Sequence, residues 1–420
     1  MPKPGLAARR AALDLVNGVR IGLLPLSDLH LPGALPPEEK ARAQRLAAET
    51  LRWSGRADRM IGPYVRQRPP EEVLNLLRLA TAELCVDGAA PHGVVDAAVS
   101  LAKADIATRR QAGLVNAVLR KVAEEAGKWN ILPVPQLPKW LRKRLVAAYG
   151  KAAVEAMEAA HAAGAPLDLT PRNGDAAALA AEVGGTALPT GSVRLSSGQV
   201  TALPGYADGR FWVQDAAASI PARVLAAQPG ERVLDLCAAP GGKAMQLAAA
   251  GAAVTALDIS ETRMLRVTEN LARTGLRADT VVADALGWTC GPFDAVLLDA
   301  PCTATGTIRR HPDLPFVKSE GQIADLAALQ SALFDRALNF ARPGGRIVFC
   351  TCSLLPEEGE AQVEAALARH PGLAIDTDAL AVPFIDPAWI GPMGLRLRPD
   401  LWADRGGIDG FFIACLRAPA

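Results

Sequence analysis

The chain has 420 residues, half of them hydrophobic and 21% charged: enough apolar content for two or three packed domains, and too much for a disordered chain. The formal net charge of +1 argues by itself against a uniformly basic nucleic-acid binder, but it is uneven, with 23 Lys/Arg against 14 Asp/Glu in residues 1–150 and 22 against 30 in residues 151–420. The longest prominent uncharged stretch, 244–257, has 14 residues, short of the ~18–20 of a membrane span.

Residues 1–20 (MPKPGLAARRAALDLVNGVR) lack the uncharged core of a secretory signal and read as a first amphipathic helix. The seven cysteines are odd in number and form no C-x-x-C pair, so neither a disulfide framework nor a zinc site is expected. A cytoplasmic, metal-free monomer off the membrane is the expectation.

Residues 1–130 read as helix after helix. Leu74, Leu77, Ala80 and Leu84 recur at helical spacing, as do Leu114, Val115, Val118, Leu119 and Val122. Three prolines within 131–138 then suggest an extended linker. The basic run Lys139, Trp140, Leu141, Arg142, Lys143, Arg144 follows. It reads either as the solvated face of a helix with Trp140 in the core, or as an RNA-backbone contact driven by counterion release. The rest of 131–212 predicts a small α+β module, with a helix over 146–163 and strands at 167–169, 193–195 and 211–213.

From residue 213 to 420 the pattern is β-α-β-α. Apolar runs at 233–236, 254–258, 281–284, 295–299 and 346–350 alternate with helical stretches at 261–273 and 325–340. That alternation predicts a parallel, doubly wound sheet that binds ligands at the carboxyl ends of its strands. A last strand over 411–416 is expected to join it antiparallel.

Asp235, Asp258, Asp284 and Asp299 fall at or just after these strand ends, where a single Asp can simply cap a helix but four suggest a shared polar ligand. The loop Cys237, Ala238, Ala239, Pro240, Gly241, Gly242, Lys243 follows the first strand. It is no P-loop, because Cys237 stands where the first glycine is needed and Ala244 replaces the magnesium-binding Ser/Thr. Asp258 lies 16 residues past Gly242, at a spacing suited to a carboxylate on ribose hydroxyls. A nucleoside without a phosphate grip points to S-adenosylmethionine.

Cys302 and Cys352 are expected on the same rim, with Cys350 in the core on the opposite face of the pleat. Cytosine C5 is too weak a nucleophile to attack a methyl sulfonium unaided. A thiolate that adds to C6 makes C5 enamine-like, an acid assists at N3, and a second thiol can help release product.

Residues 233–243 (VLDLCAAPGGK), 299–306 (DAPCTATG) with 308–313 (IRRHPD), and 350–358 (CTCSLLPEE) resemble the Nop/Sun family of RNA cytosine-C5 methyltransferases. Gln214-Asp215 and residues 409–412 (DGFF) match its usual framing. Residues 92–103 and 113–120 resemble the NusB-like RNA-binding helical domain, a combination similar to the Sun branch that acts on 16S ribosomal RNA. The resemblance implies a Rossmann-like S-adenosylmethionine-dependent α/β domain over 213–420, preceded by an all-α NusB-like domain over 1–130. It implies that Cys352 is the nucleophile, that Cys302 aids product release and that Asp299 orients or protonates the base. The cofactor would be held by residues 237–243 with Asp258, Asp284 and Asp299. Two departures stand out: Ala244 where Thr or Ser is usual, and Thr303 where Ser is common.

Arg309 and Arg310 are expected to contact phosphate, with His311 and Asp313 shaping their loop. Lys139, Arg142, Lys143 and Arg144 are the other RNA-contact candidates. Two alternatives stay open at this point. The same chemistry could act on tRNA or on DNA, whose C5 methylases attack from a Pro-Cys motif and would make Cys302 the nucleophile. A non-catalytic ribosome-assembly factor could retain a decayed methyltransferase fold.

Overall fold

The computed structural model describes residues 5–420, so Met1 to Pro4 of the predicted first helix lie outside the described residues. The chain divides into two compact units: residues 5–163 with Ile308–Ser319, and Gly164–Thr307 with Glu320–Ala420.

The first unit is helical: α1 (Leu6–Arg20), α2 (Pro37–Arg52), α3 (Ser54–Ile61), α4 (Glu71–Cys85), α5 (Pro91–Ala104), α6 (Ala112–Glu124), α7 (Lys139–Tyr149) and α8 (Lys151–Ala163). Glu71 and Glu72 complement the dipole in the first turn of α4, and Pro91 starts α5, where a missing N–H costs nothing. The central helix α4 buries nearly every side chain, and Leu76, Leu77, Val16, Leu46, Val115 and Leu119 form one core. Arg78 is also buried; Asp58 (2.7 and 3.0 Å) and Glu71 (2.5 Å) neutralise it.

The compact helical unit runs on to residue 163, past the boundary expected near 130. Arg56 donates to the Leu132 carbonyl at 2.7 Å and Arg52 to the His161 carbonyl at 2.6 Å, while within the segment buried Glu158 accepts from Leu137 N and Arg142 Nε, both at 2.9 Å. The two arginine bonds tie 131–163 to the helices rather than to a separate α+β module. The helix expected over 146–163 is two helices, divided at Gly150, whose φ of 81° is left-handed.

The second unit opens with a four-stranded antiparallel sheet of order β2-β3-β1-β4 and one helix: β1 (Leu167–Pro171), α9 (Ala176–Val183), β2 (Thr186–Ala187), β3 (Val193–Leu195) and β4 (Phe211–Val213). Asp168 is fully buried, and Arg194 closes on it with two bonds of 2.7 Å.

The main elements follow: α10 (Ile220–Leu225), β5 (Arg232–Leu236), α11 (Gly242–Ala249), β6 (Ala253–Asp258), α12 (Glu261–Thr274), β7 (Asp279–Val282) and β8 (Phe293–Asp299). An excursion then carries the short helix α13 (Leu314–Val317), which belongs to the helical unit. The chain returns through α14 (Gln322–Phe340), β9 (Ala341–Thr351), α15 (Glu360–Arg369), β10 (Ala374–Ile375), β11 (Ile390–Gly391), β12 (Gly394–Leu397) and β13 (Phe411–Arg417).

The large sheet runs β11-β12-β13-β9-β8-β5-β6-β7. The pairs from β9 through β7 are parallel, and β13 is antiparallel to β9, as the sequence predicts. Chain order reverses between β5 and β8, which places the ligand crevice beyond the carboxyl ends of those strands. Among the described residues no helix is long and apolar enough to cross a membrane.

Candidate active site

The loop after β5 folds back over the ends of β5 and β6. Ala238 N donates to Leu257 O (3.0 Å), Ala239 N to Asp258 Oδ2 (3.1 Å) and Gly241 N to Ala238 O (2.8 Å). Gly241 starts α11 at φ 99°, and a Cβ there would sit 3.1 Å from Val267, so only glycine fits without strain. Asp258 is buried at the end of β6 and accepts one backbone N–H on each oxygen, the second from Ser260 at 2.9 Å, which leaves lone pairs on both.

β7 lies two residues earlier than the predicted 281–284 strand, so Asp284 falls two residues past its end, and it is exposed. Exposed apolar residues, Ile259 and Leu286, follow both acids closely. A glycine-only turn, carboxylates at successive strand ends and nearby apolar surface fit a nucleoside cofactor with a cationic sulfonium.

Asp299 ends β8 directly opposite Cys350 of β9. Its Oδ2 accepts from Lys243 Nζ at 2.8 Å, and Cys350 Sγ lies 3.4 Å from Oδ1. Burial would lower the pKa of the Lys243 ammonium, but Asp299 and its neighbours outweigh that and hold it above the ordinary lysine value. Cys302 lies three residues beyond β8 and Cys352 one beyond β9, both half-buried, with their sulfurs 3.5 Å apart. The hydrogen bond to Cys352, then burial, raises the Cys302 thiol well above its usual value.

Three expectations change here. Cys350 and Cys352 pack against the same core cluster, because residues two apart in a strand share a face; burial, not direction, separates them. Asp235 is not on the rim. It lies within β5, fully buried with both carboxylate oxygens unpartnered, and burial pushes its pKa up to about 8 against the pull of Lys243. Arg309 is fully buried in the helical unit, where its carbonyl accepts from Arg52 at 2.8 Å, so its guanidinium is not a surface contact for phosphate.

Arg310 is partly exposed. Lys139 and Lys143 are exposed on α7, and Trp140 is half-buried. Arg142 is held by Glu158, and Arg144 is half-buried. Sequence reasoning missed Glu358, which is fully buried behind the two cysteine loops. Its signal was the Pro-Glu-Glu that closes the 350–358 motif.

An open parallel sheet with a glycine turn after its first ligand-binding strand and acids along one rim defines a Rossmann-like, S-adenosylmethionine-dependent methyltransferase domain. The family model for 16S rRNA methyltransferase RsmB/F matches residues 222–417, and that for the NusB family residues 7–124. The ribosomal RNA small subunit methyltransferase B of Pseudomonas putida is 35% identical over 453 aligned positions, covering 98% of each chain. That of Xanthomonas campestris pv. campestris is 39% identical over 362, covering 81% of this chain and 82% of its own.

Among solved structures, PH0851 is similar at a TM-score of 0.74 with 23% identity and 99% of both chains covered. A methyltransferase homolog protein from Pyrococcus horikoshii is similar at 0.57 with 27% identity, over 67% of this chain and 95% of its own. The chain belongs to the RsmB/F family of 16S ribosomal RNA methyltransferases, with an N-terminal NusB domain.

Proposed function

We propose that the chain methylates C5 of a cytosine in 16S ribosomal RNA, with Cys352 as the nucleophile, Cys302 as the thiol that serves product release and Asp299 as the group that engages the base at N3. The observation that carries this reading is the pair of sulfurs 3.5 Å apart, with an Asp299 carboxylate held by Lys243 at the end of the strand that leads to Cys302. Methyl transfer to oxygen or to an exocyclic amine needs no thiol at all. Transfer to a pyrimidine carbon needs one to attack and gains from a second.

S-adenosylmethionine, held by residues 237–243 with Asp258 and Asp284, supplies the electrophilic methyl group. The Cys352 thiolate adds to C6, and the electron pair displaced toward N3 is met by a proton or hydrogen bond at Asp299. C5 gains the methyl group and gives up its proton to solvent. Elimination of the Cys352 thiolate then restores the aromatic ring. Thr303, one of the two departures from the family pattern, keeps the hydroxyl of serine.

RNA contacts are assigned to the exposed Lys139 and Lys143, with Arg142, Arg144 and Arg310 as further candidates. An rRNA substrate puts the protein in the cytoplasm. Trapping on 16S rRNA fragments containing 5-fluorocytosine tests the assignment, because fluorine cannot leave C5 as the proton does. The wild type gives a covalent adduct, Cys302→Ser retains it and Cys352→Ser loses it. An adduct lost in Cys302→Ser but kept in Cys352→Ser would reverse the roles. Absence of methyl transfer, with S-adenosylmethionine bound, would favour a non-catalytic assembly factor.

A further inference from the structure

Thr303 and Ser353 each directly follow one of the two cysteines, and one carboxylate holds both. Glu358 lies in the turn Pro356–Glu358 after β9 and is fully buried. Its Oε1 accepts from Thr303 N (2.9 Å) and Gln330 Nε2 (3.2 Å), and its Oε2 from the hydroxyls of Thr303 and Ser353 (both 2.5 Å). Gln330 also donates to Pro301 O at 2.8 Å, and Thr351 Oγ1 to Glu358 O at 2.9 Å. Removing any one strut takes a hydrogen-bond partner from a buried group.

We propose that Glu358 is the positioning residue that sets the spacing of Cys302 and Cys352 and assigns them different roles, by clamping the loop after one to the loop after the other. This inference rests on the cytosine-C5 reading. The four hydrogen bonds to the Glu358 carboxylate, from Gln330, Ser353 and the hydroxyl and N–H of Thr303, all come from neutral donors. The Glu358 carboxylate also acts on the Cys302 thiol. It adds to the hydrogen bond with Cys352, to burial and to the Cys352 charge in raising Cys302. Cys302 thus keeps its proton beside the attacking sulfur, as a thiol that serves the later steps must.

The test uses full-length protein carrying Glu358→Gln or Glu358→Asp, with thermal melting as the check of folding. Gln keeps the volume, loses the charge and turns one end of the clamp into a donor; Asp keeps the charge on a shorter arm. For Glu358→Gln, kcat for methylation of 16S rRNA fragments falls at least about tenfold, since misplacement by ~1 Å can cost ~100-fold. The KM values for RNA and S-adenosylmethionine stay within about twofold. The alkaline limb of the kcat profile moves to lower pH, and iodoacetamide modifies Cys302 faster relative to Cys352, as read by peptide mass spectrometry. Glu358→Asp restores part of the wild-type pH profile.

Wild-type kcat in Glu358→Gln overturns the proposal. So does lost activity with an unchanged alkylation ratio and pH profile, which marks a merely structural part. If Glu358→Gln does not fold, Ser353→Ala, which removes one strut, is held to the same kcat and alkylation criteria. A wild type that forms no adduct and methylates no cytosine refutes the cytosine-C5 reading, while the alkylation ratio still decides whether Glu358 sets the two thiols apart.

Discussion

Replacing Gly306 by alanine puts a methyl group where backbone already lies. Gly306 N donates to Cys352 O at 2.9 Å, and its own carbonyl accepts from Gly410 N at 2.8 Å, so it is sandwiched between the Cys352 loop and the entry to β13. A Cβ there would fall 2.0 Å from Gly410 O and 2.8 Å from Cys352 O. Both neighbours are backbone atoms, with no rotamer to give way, so the loops must part by more than about 1 Å. A displacement of that size at a reacting group costs ~100-fold in rate, or about 2.7 kcal/mol of barrier.

Single-turnover transfer of a labelled methyl group to 16S rRNA fragments measures it. Gly291→Ala, where no atom lies within 4 Å of the new methyl group, is the matched control and stays near wild type. Rates within about threefold of wild type in a folded Gly306→Ala protein would mean that backbone packing of these loops does not place the sulfur.

Asp235→Asn replaces a buried carboxyl by a neutral group of the same shape. An acid whose pKa rises from 3.8 to about 8 on folding binds more protons in the native state, so its stabilising effect is complete below about 4 and is lost as pH rises toward 8. Urea melts at pH 5 and pH 8 should show wild type losing stability relative to Asp235→Asn by up to about 1.4 kcal/mol per pH unit; parallel curves would contradict the burial argument. For the RNA face, Lys139→Gln with Lys143→Gln should flatten the slope of log affinity against log salt by about 2 if each lysine meets one phosphate. An unchanged slope would remove α7 from the interface.

Much of the catalytic unit was legible because its signals are local. Apolar runs at 233–236, 254–258 and 295–299 need no distant partner to read as strands, and they are β5, β6 and β8. The strictly spaced Gly-Gly-Lys and cysteine motifs carry the family with them. The excess of positive charge in residues 1–150, hidden by the overall +1, also belongs to the sequence alone.

Tertiary structure decided what depends on neighbours distant along the chain. Arg309 reads as a phosphate contact until packing in the helical unit buries it. Asp235 reads as a rim carboxylate until its place within β5 buries it without a hydrogen-bond partner. Residues 131–163 read as the start of a new module until Arg52 and Arg56 bind them back to the helices. Glu358 lies 55 residues from Thr303, and only folding makes it the clamp between two cysteines. Periodicity and motif spacing report what a residue's near neighbours require, whereas burial and hydrogen-bond partnership are set by which segments the folded chain brings together.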